Sequence, residues 1–349
     1  MLVGIQFLRF VAAASVLIAH SLHQFEGLKP IGVFGVDIFF VISGFIIFYI
    51  TEKDCSMFLM KRLIRIVPLY WVFTLLLAVV TLILPDLLKS ARFDPAHILA
   101  SLFFIPYWTE TTLFSPILKL GWTLNLEMLF YLLFFAAMRV SHKHRGAIAS
   151  AMLITLFLVL NMLDIDERSA LKFYSASMWF EFIFGMSLAM ALPRLRTLNF
   201  SAATLLCILI IGGSVLILSD YALEGEPVYR VLYWGIPSIF VVASVILLEG
   251  RIKTFGAKFS SLSVWLGEMS YPMYLIHIYV IVVIHRLVFK DISAPLLVFV
   301  TLAVTLLCSH IATQLYDLPI RRFLIKRVSA KGSKSLQSRA LVKTFAESR

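Results

Sequence analysis

Polar residues are sparse along this chain, and the apolar ones run in blocks. Ten blocks approach or reach the roughly 20 residues that a helix needs to cross a bilayer. They cover about residues 4–22, 33–50, 66–84, 121–138, 146–163, 175–192, 201–219, 229–248, 265–285 and 295–316. The stretch Ala96–Trp108 is apolar but too short to span, and is expected to lie at an interface or to re-enter. There is no internal repeat, and no loop can hold a soluble domain. The expected fold is all-α: a polytopic integral membrane protein with about ten transmembrane helices. One domain is expected over residues 1–325. A basic cytosolic tail, 326–349, comes after it; it is poor in apolar residues, expected to be disordered and suited to touching anionic membrane lipid. No charged segment with a small-residue cleavage site precedes the first block, so that block is expected to be a retained helix.

Composition strengthens the membrane reading. The 349 residues are 60% hydrophobic and 15% charged, with a mean hydropathy of +0.93, which excludes a soluble domain. The net charge of +11 would suit nucleic acid, but its distribution argues against such a partner. With a cytosolic N-terminus, the inside segments hold twenty-one lysines and arginines, from Lys53 to the tail, and the outside segments hold nine. That bias places both termini in the cytosol. Cys55, Cys207 and Cys308 have no paired spacing, so neither a disulfide nor a metal cluster is expected.

The chemistry is expected where polar residues interrupt the blocks. Arg9 lies well inside the first one, where a charge requires a partner or an aqueous cavity. His20 stands eleven residues later, almost a whole number of turns, on the same face and about 16 Å along the axis. The plainer alternative is a snorkelling arginine and an interfacial histidine. With the inferred topology, Asp37 and Glu127 fall at the depth of His20 in the outer half, with Glu181 as a spare. A carboxylate bonded to one imidazole nitrogen would fix the tautomer and raise the basicity of the other, as deprotonating a hydroxyl requires. Each carboxylate has the alternative of a structural hydrogen bond to a neighbouring helix.

On the inner side the third block opens with Lys61-Arg62-Leu63-Ile64-Arg65-Ile66-Val67-Pro68. Arg62 and Arg65 share a helix face, and paired guanidiniums suit phosphate; plain positive-inside anchoring is the alternative. Pro68 is expected in a first turn, where proline costs little. In the ninth block Tyr274 and His277 share a face and could line a channel or form an aromatic packing stripe. His310 is expected to be structural.

Taken together these motifs resemble the membrane acyltransferase-3 family, bacterial O-acyltransferases that modify surface polysaccharides. The likeness runs to about Arg322. It is carried by Arg9 with His20, by Gly35-Val36-Asp37-Ile38-Phe39-Phe40-Val41-Ile42-Ser43-Gly44-Phe45, by Lys61-Arg62-Leu63-Ile64-Arg65-Ile66-Val67-Pro68-Leu69-Tyr70-Trp71, by Trp122-Thr123-Leu124-Asn125-Leu126-Glu127-Met128-Leu129-Phe130-Tyr131, and by Ser270-Tyr271-Pro272-Met273-Tyr274-Leu275-Ile276-His277. Each is weak; five in order are specific. The opening Ile5-Gln6-Phe7-Leu8-Arg9 is similar to the ExoZ-like branch, linked to exopolysaccharide acylation. The resemblance implies a ten-helix core in the bacterial inner membrane, a cytosolic acyl-CoA donor (acetyl-CoA in the first instance) and a hydroxyl of a glycan or lipid-linked sugar as acceptor. It implies that Arg9 and His20 are essential and that Arg62 and Arg65 bind the donor. Trp122, Tyr274 and His277 are expected on the substrate path. No metal or redox cofactor is expected. Two departures stand out: Thr123 replaces a common serine, and no esterase-like domain is present, so any step of such a domain is expected to belong elsewhere or not to occur. A transporter of sugars or lipid-linked glycans and a non-catalytic assembly subunit are the competing classes.

Overall fold

The computed structural model describes residues 2–25, 27–83, 93–110, 112–223, 229–288 and 293–328. Its helices are α1 (Val3–Leu22), α2 (Gly35–Thr51), α3 (Phe58–Ile83), α4 (Pro95–Leu102), α5 (Trp122–Val140), α6 (Arg145–Met162), α7 (Ala170–Phe173), α8 (Trp179–Thr197), α9 (Ala202–Ala222), α10 (Ile236–Leu247), α11 (Glu249–Ile252), α12 (Ala257–Val282) and α13 (Ala294–Ala312). Each of the ten apolar blocks holds a helix among the described residues. Among the described residues, seven helices are long and apolar enough to cross a membrane, or eight if Val231–Leu247 and Glu249–Phe255, bent by 53°, are one span. By length and composition the described residues therefore do not confirm the ten spans expected. α2 has 17 residues, and α8 carries Glu181, Arg194 and Arg196.

Several boundaries differ from the sequence expectation for physical reasons. α3 begins at Phe58, eight residues before the expected start, so Pro68 stands inside the helix rather than in its first turn. Ahead of α3, Asp54 accepts from Lys61 Nζ at 2.7 Å and from Ser56 N at 2.8 Å. These partners hold its carboxyl below the usual carboxylate range. The apolar stretch at 96–108 forms the short α4, capped by Asp94 and tied to α3: Tyr70 donates to Ser101 O at 3.1 Å and Trp71 Nε1 to Leu102 O at 2.8 Å. The last helix continues to Val328, so the expected tail is helical over its first three residues. Residues 329–349 lie outside the described residues, as do Lys89, Arg92 and Lys290 of the charge count.

The two helices that carry the first motifs are fixed by buried carboxylates from distant elements. Glu249 accepts from Val3 N at 2.7 Å and Gly4 N at 2.8 Å, satisfying amide donors that a helix start leaves free. Asp220 accepts from Gly32 N at 2.7 Å and Val33 N at 2.9 Å, setting the approach to α2. Gly32 has φ +124°, and a Cβ there would fall 2.0 Å from Ser15 O; only glycine meets both demands. α2 and α8 pack through Gly44 and Gly185, where an added Cβ would lie 2.2 Å from Phe182 O and 2.1 Å from Val41 O. Such small-residue crossings bring helix backbones together in membranes. Phe40, Phe130 and Phe182 fill the core beside this crossing.

Candidate active site

α1 and α12 run side by side, and their polar residues form two separate centres. Around Arg9 lies a narrow cavity of about 100 Å³, walled by α1, α2, α3, α5 and α12. Along α2 it reaches from Val36 to Ile47, about 16 Å at the helical rise. Arg9, Arg62, Arg65, Glu127, Tyr131 and Ser43 line it, with Tyr271, Ser270, Thr123 and Tyr274.

Among the described residues, Arg9 and Arg62 are only partly matched by hydrogen-bond acceptors. Arg9 is 8% exposed, and its hydrogen bond to Gln6 Oε1 is 3.4 Å long. The Nε of Arg62 is buried without a hydrogen-bond partner among the described residues. Glu127 is the carboxylate of this centre: its Oε1 accepts from Ser43 Oγ at 2.8 Å and from the hydroxyl of Tyr131. Contrast Arg145, also buried, which donates to Thr51 Oγ1 at 3.2 Å, His142 O at 2.8 Å and Phe48 O at 3.3 Å and stacks on Phe48. Arg145 is complete within the protein. A buried cation without that set of acceptors favours an anionic ligand.

Beyond the Tyr274 end of the cavity stands the second centre. Tyr274 is linked to Thr123 Oγ1 at 3.1 Å and to Leu120 O at 3.3 Å. Its ring lies 6.0 Å from that of His277. His277 is fully buried, with Nδ1 3.2 Å from Met273 O and Nε2 3.3 Å from His20 Nδ1. His20 Nδ1 is also 2.9 Å from Val16 O. A carbonyl oxygen accepts and never donates, so each Nδ1 carries the hydrogen. In the neutral state His277 Nε2 is then an acceptor, and His20 Nδ1–H is shared between it and Val16 O. His20 Nε2 is left with its lone pair, on a part-exposed side chain.

This geometry corrects the expectation that Asp37 and Glu127 meet His20. Asp37 is fully buried and chelated by Arg230, Nε to Oδ1 and Nη2 to Oδ2, both 2.9 Å. Arg230 stacks over Trp234, 4.6 Å away, and so is no loop cation, as the charge count expects. Glu127 belongs to the Arg9 centre because α5 starts deep: a Cβ on Gly121 would lie 2.8 Å from Tyr70, midway along α3. A depth reckoned from a surface start therefore misplaces Glu127. Glu181 is fully buried beside Gly235 of the Asp37–Arg230 group, not beside His20. Trp122 packs on the core and does not line the cavity. His310 accepts from Trp265 Nε1 at 3.1 Å.

Comparison with known proteins gives the family. The model of an acyltransferase domain, the acyltransferase-3 type, matches residues 2–313. The exopolysaccharide production protein ExoZ of Rhizobium meliloti (strain 1021) is 30% identical over 86% of this chain and 93% of its own length. A putative O-acetyltransferase of Staphylococcus aureus (strain MRSA252) is 26% identical over 95% of this chain and 59% of its own. The O-acetyltransferase OatA of Staphylococcus aureus (strain NCTC 8325 / PS 47) is 25% identical over 91% of this chain and 57% of its own. No solved structure matches. The transporter and assembly-subunit readings are thereby set aside: the chain belongs to the acyltransferase-3 family and is a multi-pass membrane acyltransferase.

Proposed function

We propose that the protein transfers an acyl group, acetyl in the first instance, from cytosolic acyl-CoA to a hydroxyl of a surface or exopolysaccharide sugar, with His20 as the base. The names of the relatives support the reaction class and the acceptor: one is named for exopolysaccharide production and another is named an O-acetyltransferase. The lysine and arginine bias supports a cytoplasmic-membrane protein whose Arg9 end and termini face the cytosol. Donor and arginines would then share one side.

The carrying observation is the narrow cavity with under-matched guanidiniums at one end and, beyond the other, a His20 ring whose Nδ1 faces Val16 O and His277 Nε2, which leaves Nε2 of the neutral ring as the base. About 100 Å³ is well below the roughly 300–1,000 Å³ of pockets that enclose whole ligands. The cavity suits an extended pantetheine arm; the phosphate-bearing head would stay at the arginines. The arm must pass Tyr274 to bring the thioester to His20. His20 Nε2 takes the proton of the acceptor hydroxyl as the alkoxide oxygen attacks the thioester carbon. The C–S bond breaks, and the imidazolium returns the proton to the CoA thiolate. His277 holds the His20 ring and tautomer, in place of the carboxylate that the sequence pattern suggests. Acyl transfer to Nε2 itself, and from there to the sugar, would use the same nitrogen.

The test is direct. Purified protein in lipid, given acetyl-CoA labelled in the acetyl group and surface glycan from cells lacking the gene, should release CoA and label the glycan. CoA release and glycan labelling both absent would refute the reading.

A further inference from the structure

A half-buried ion pair at the far end of the helical chain faces the Arg9 centre from outside its cavity. Residues Thr313–Asp317 form a π-turn within the last helix, which rotates the residues after it relative to a regular helix. Tyr316 in this turn donates to Pro68 O of α3 at 3.4 Å, one helical turn from Arg65. Asp317, 3% exposed, pairs with Arg321 Nη2 at 2.8 Å, and Arg321 Nε reaches Asp317 O at 3.4 Å. Arg321 lies within electrostatic reach of Arg9, Arg65, Glu268 and Arg322. It does not line the cavity; it stands outside, next to Arg65.

We propose that Arg321, aimed by Asp317, is a binding residue for the phosphates of the donor head, which it grips opposite Arg65 from a second helix. This rests on the acyl-CoA reading above. The charge balance supports it. Arg9, Arg62, Arg65 and Arg321 face the carboxylates Glu127, Asp317 and Glu268, which leaves a positive excess even before exposed Arg322 is counted. Like charges so gathered are stabilised by a polyanion. The size of the cavity leaves the nucleotide outside, at the place where Arg321 sits. Among the described residues, its exposed neighbours Arg322 and Lys326 have no such carboxylate partner.

The test uses the full chain in lipid nanodiscs, loaded with radiolabelled acetyl-CoA and challenged with two competitors. Adenosine 3′,5′-bisphosphate represents the head, and S-acetylpantetheine the arm. Arg321→Ala should weaken competition by the bisphosphate about tenfold, the worth of one charge-assisted contact. Competition by S-acetylpantetheine should stay at the wild-type level, and Arg321→Lys should recover part of the loss. Arg321→Gln, which keeps the stem, takes over if the alanine variant does not fold. Equal weakening of both competitors, or none while Arg65→Gln shows the bisphosphate-specific loss, would overturn the proposal and leave the acyl-CoA reading standing. Failure of wild-type protein to bind acetyl-CoA would remove both.

Discussion

The Arg9 centre and the His20 centre lie on the same pair of helices, yet the protein treats them in opposite ways. At Arg9 the positive groups, buried at Arg9 and half-buried at Arg62 and Arg65, line an open space, and Arg9 and Arg62 find few acceptors among the described residues. At His20 the two imidazoles are aligned by backbone carbonyls and by one another. The first arrangement waits for charge from elsewhere; the second is already set for one proton transfer. What separates them is Tyr274, bonded to Thr123 and Leu120. On the proposed function, binding and chemistry are divided along the helix axis, so each should be removable without the other.

The largest effect should come from His20→Ala. Loss of a general base costs ~10²–10⁴-fold, so labelled acetyl transfer should fall by that amount while acetyl-CoA still binds. Near-normal transfer would end the division of roles.

Asp37→Asn should act on stability rather than on either centre. It leaves Arg230 buried with an incomplete partner, and breaking such a pair costs about 3–5 kcal/mol. Thermal unfolding in detergent should begin at lower temperature, while the folded fraction keeps wild-type affinity for acetyl-CoA. A selective loss of turnover with unchanged stability would instead place Asp37 in the chemistry.

His277→Leu removes the acceptor that steadies the His20 ring. A misplaced catalytic group can cost ~10²-fold, so kcat should drop by up to that factor with little change in the acetyl-CoA KM. His277→Gln, with an acceptor oxygen, should retain more activity than the leucine variant. A loss confined to KM would move His277 from the His20 centre to donor binding.

Much of this is legible in the residue pattern, and the misses share a cause. The Arg9–His20 spacing and the Arg62–Arg65 pair are properties of one helix each, and helical periodicity is enough to read them. Partnerships between helices depend on relative depth. The chain near α4 returns to the middle of α3, so α5 begins opposite Tyr70; no hydropathy pattern carries that offset. Hence the pattern puts Glu127 at the wrong centre. Arg230 reads as a loop cation because the helix leading into α10 begins with a π-turn, Val231–Gly235, whose register brings it onto Asp37. For His277 the available signal is its ninth-block position beside Tyr274, which marks a channel residue; its contact with His20 comes only from the α1–α12 packing. Asp317 and Arg321 are hidden among the positive-inside charges.

The measurement that tests the division most directly is the acetyl-CoA Kd of His20→Ala and Arg65→Ala, side by side in nanodiscs. Charge-assisted hydrogen bonds contribute about 1.5–3 kcal/mol, so Arg65→Ala should bind roughly ten- to a hundred-fold more weakly, while His20→Ala keeps the wild-type Kd. Equal weakening in both variants, or a loss in His20→Ala alone, would mean that the donor head sits at the histidines and that the two centres are one.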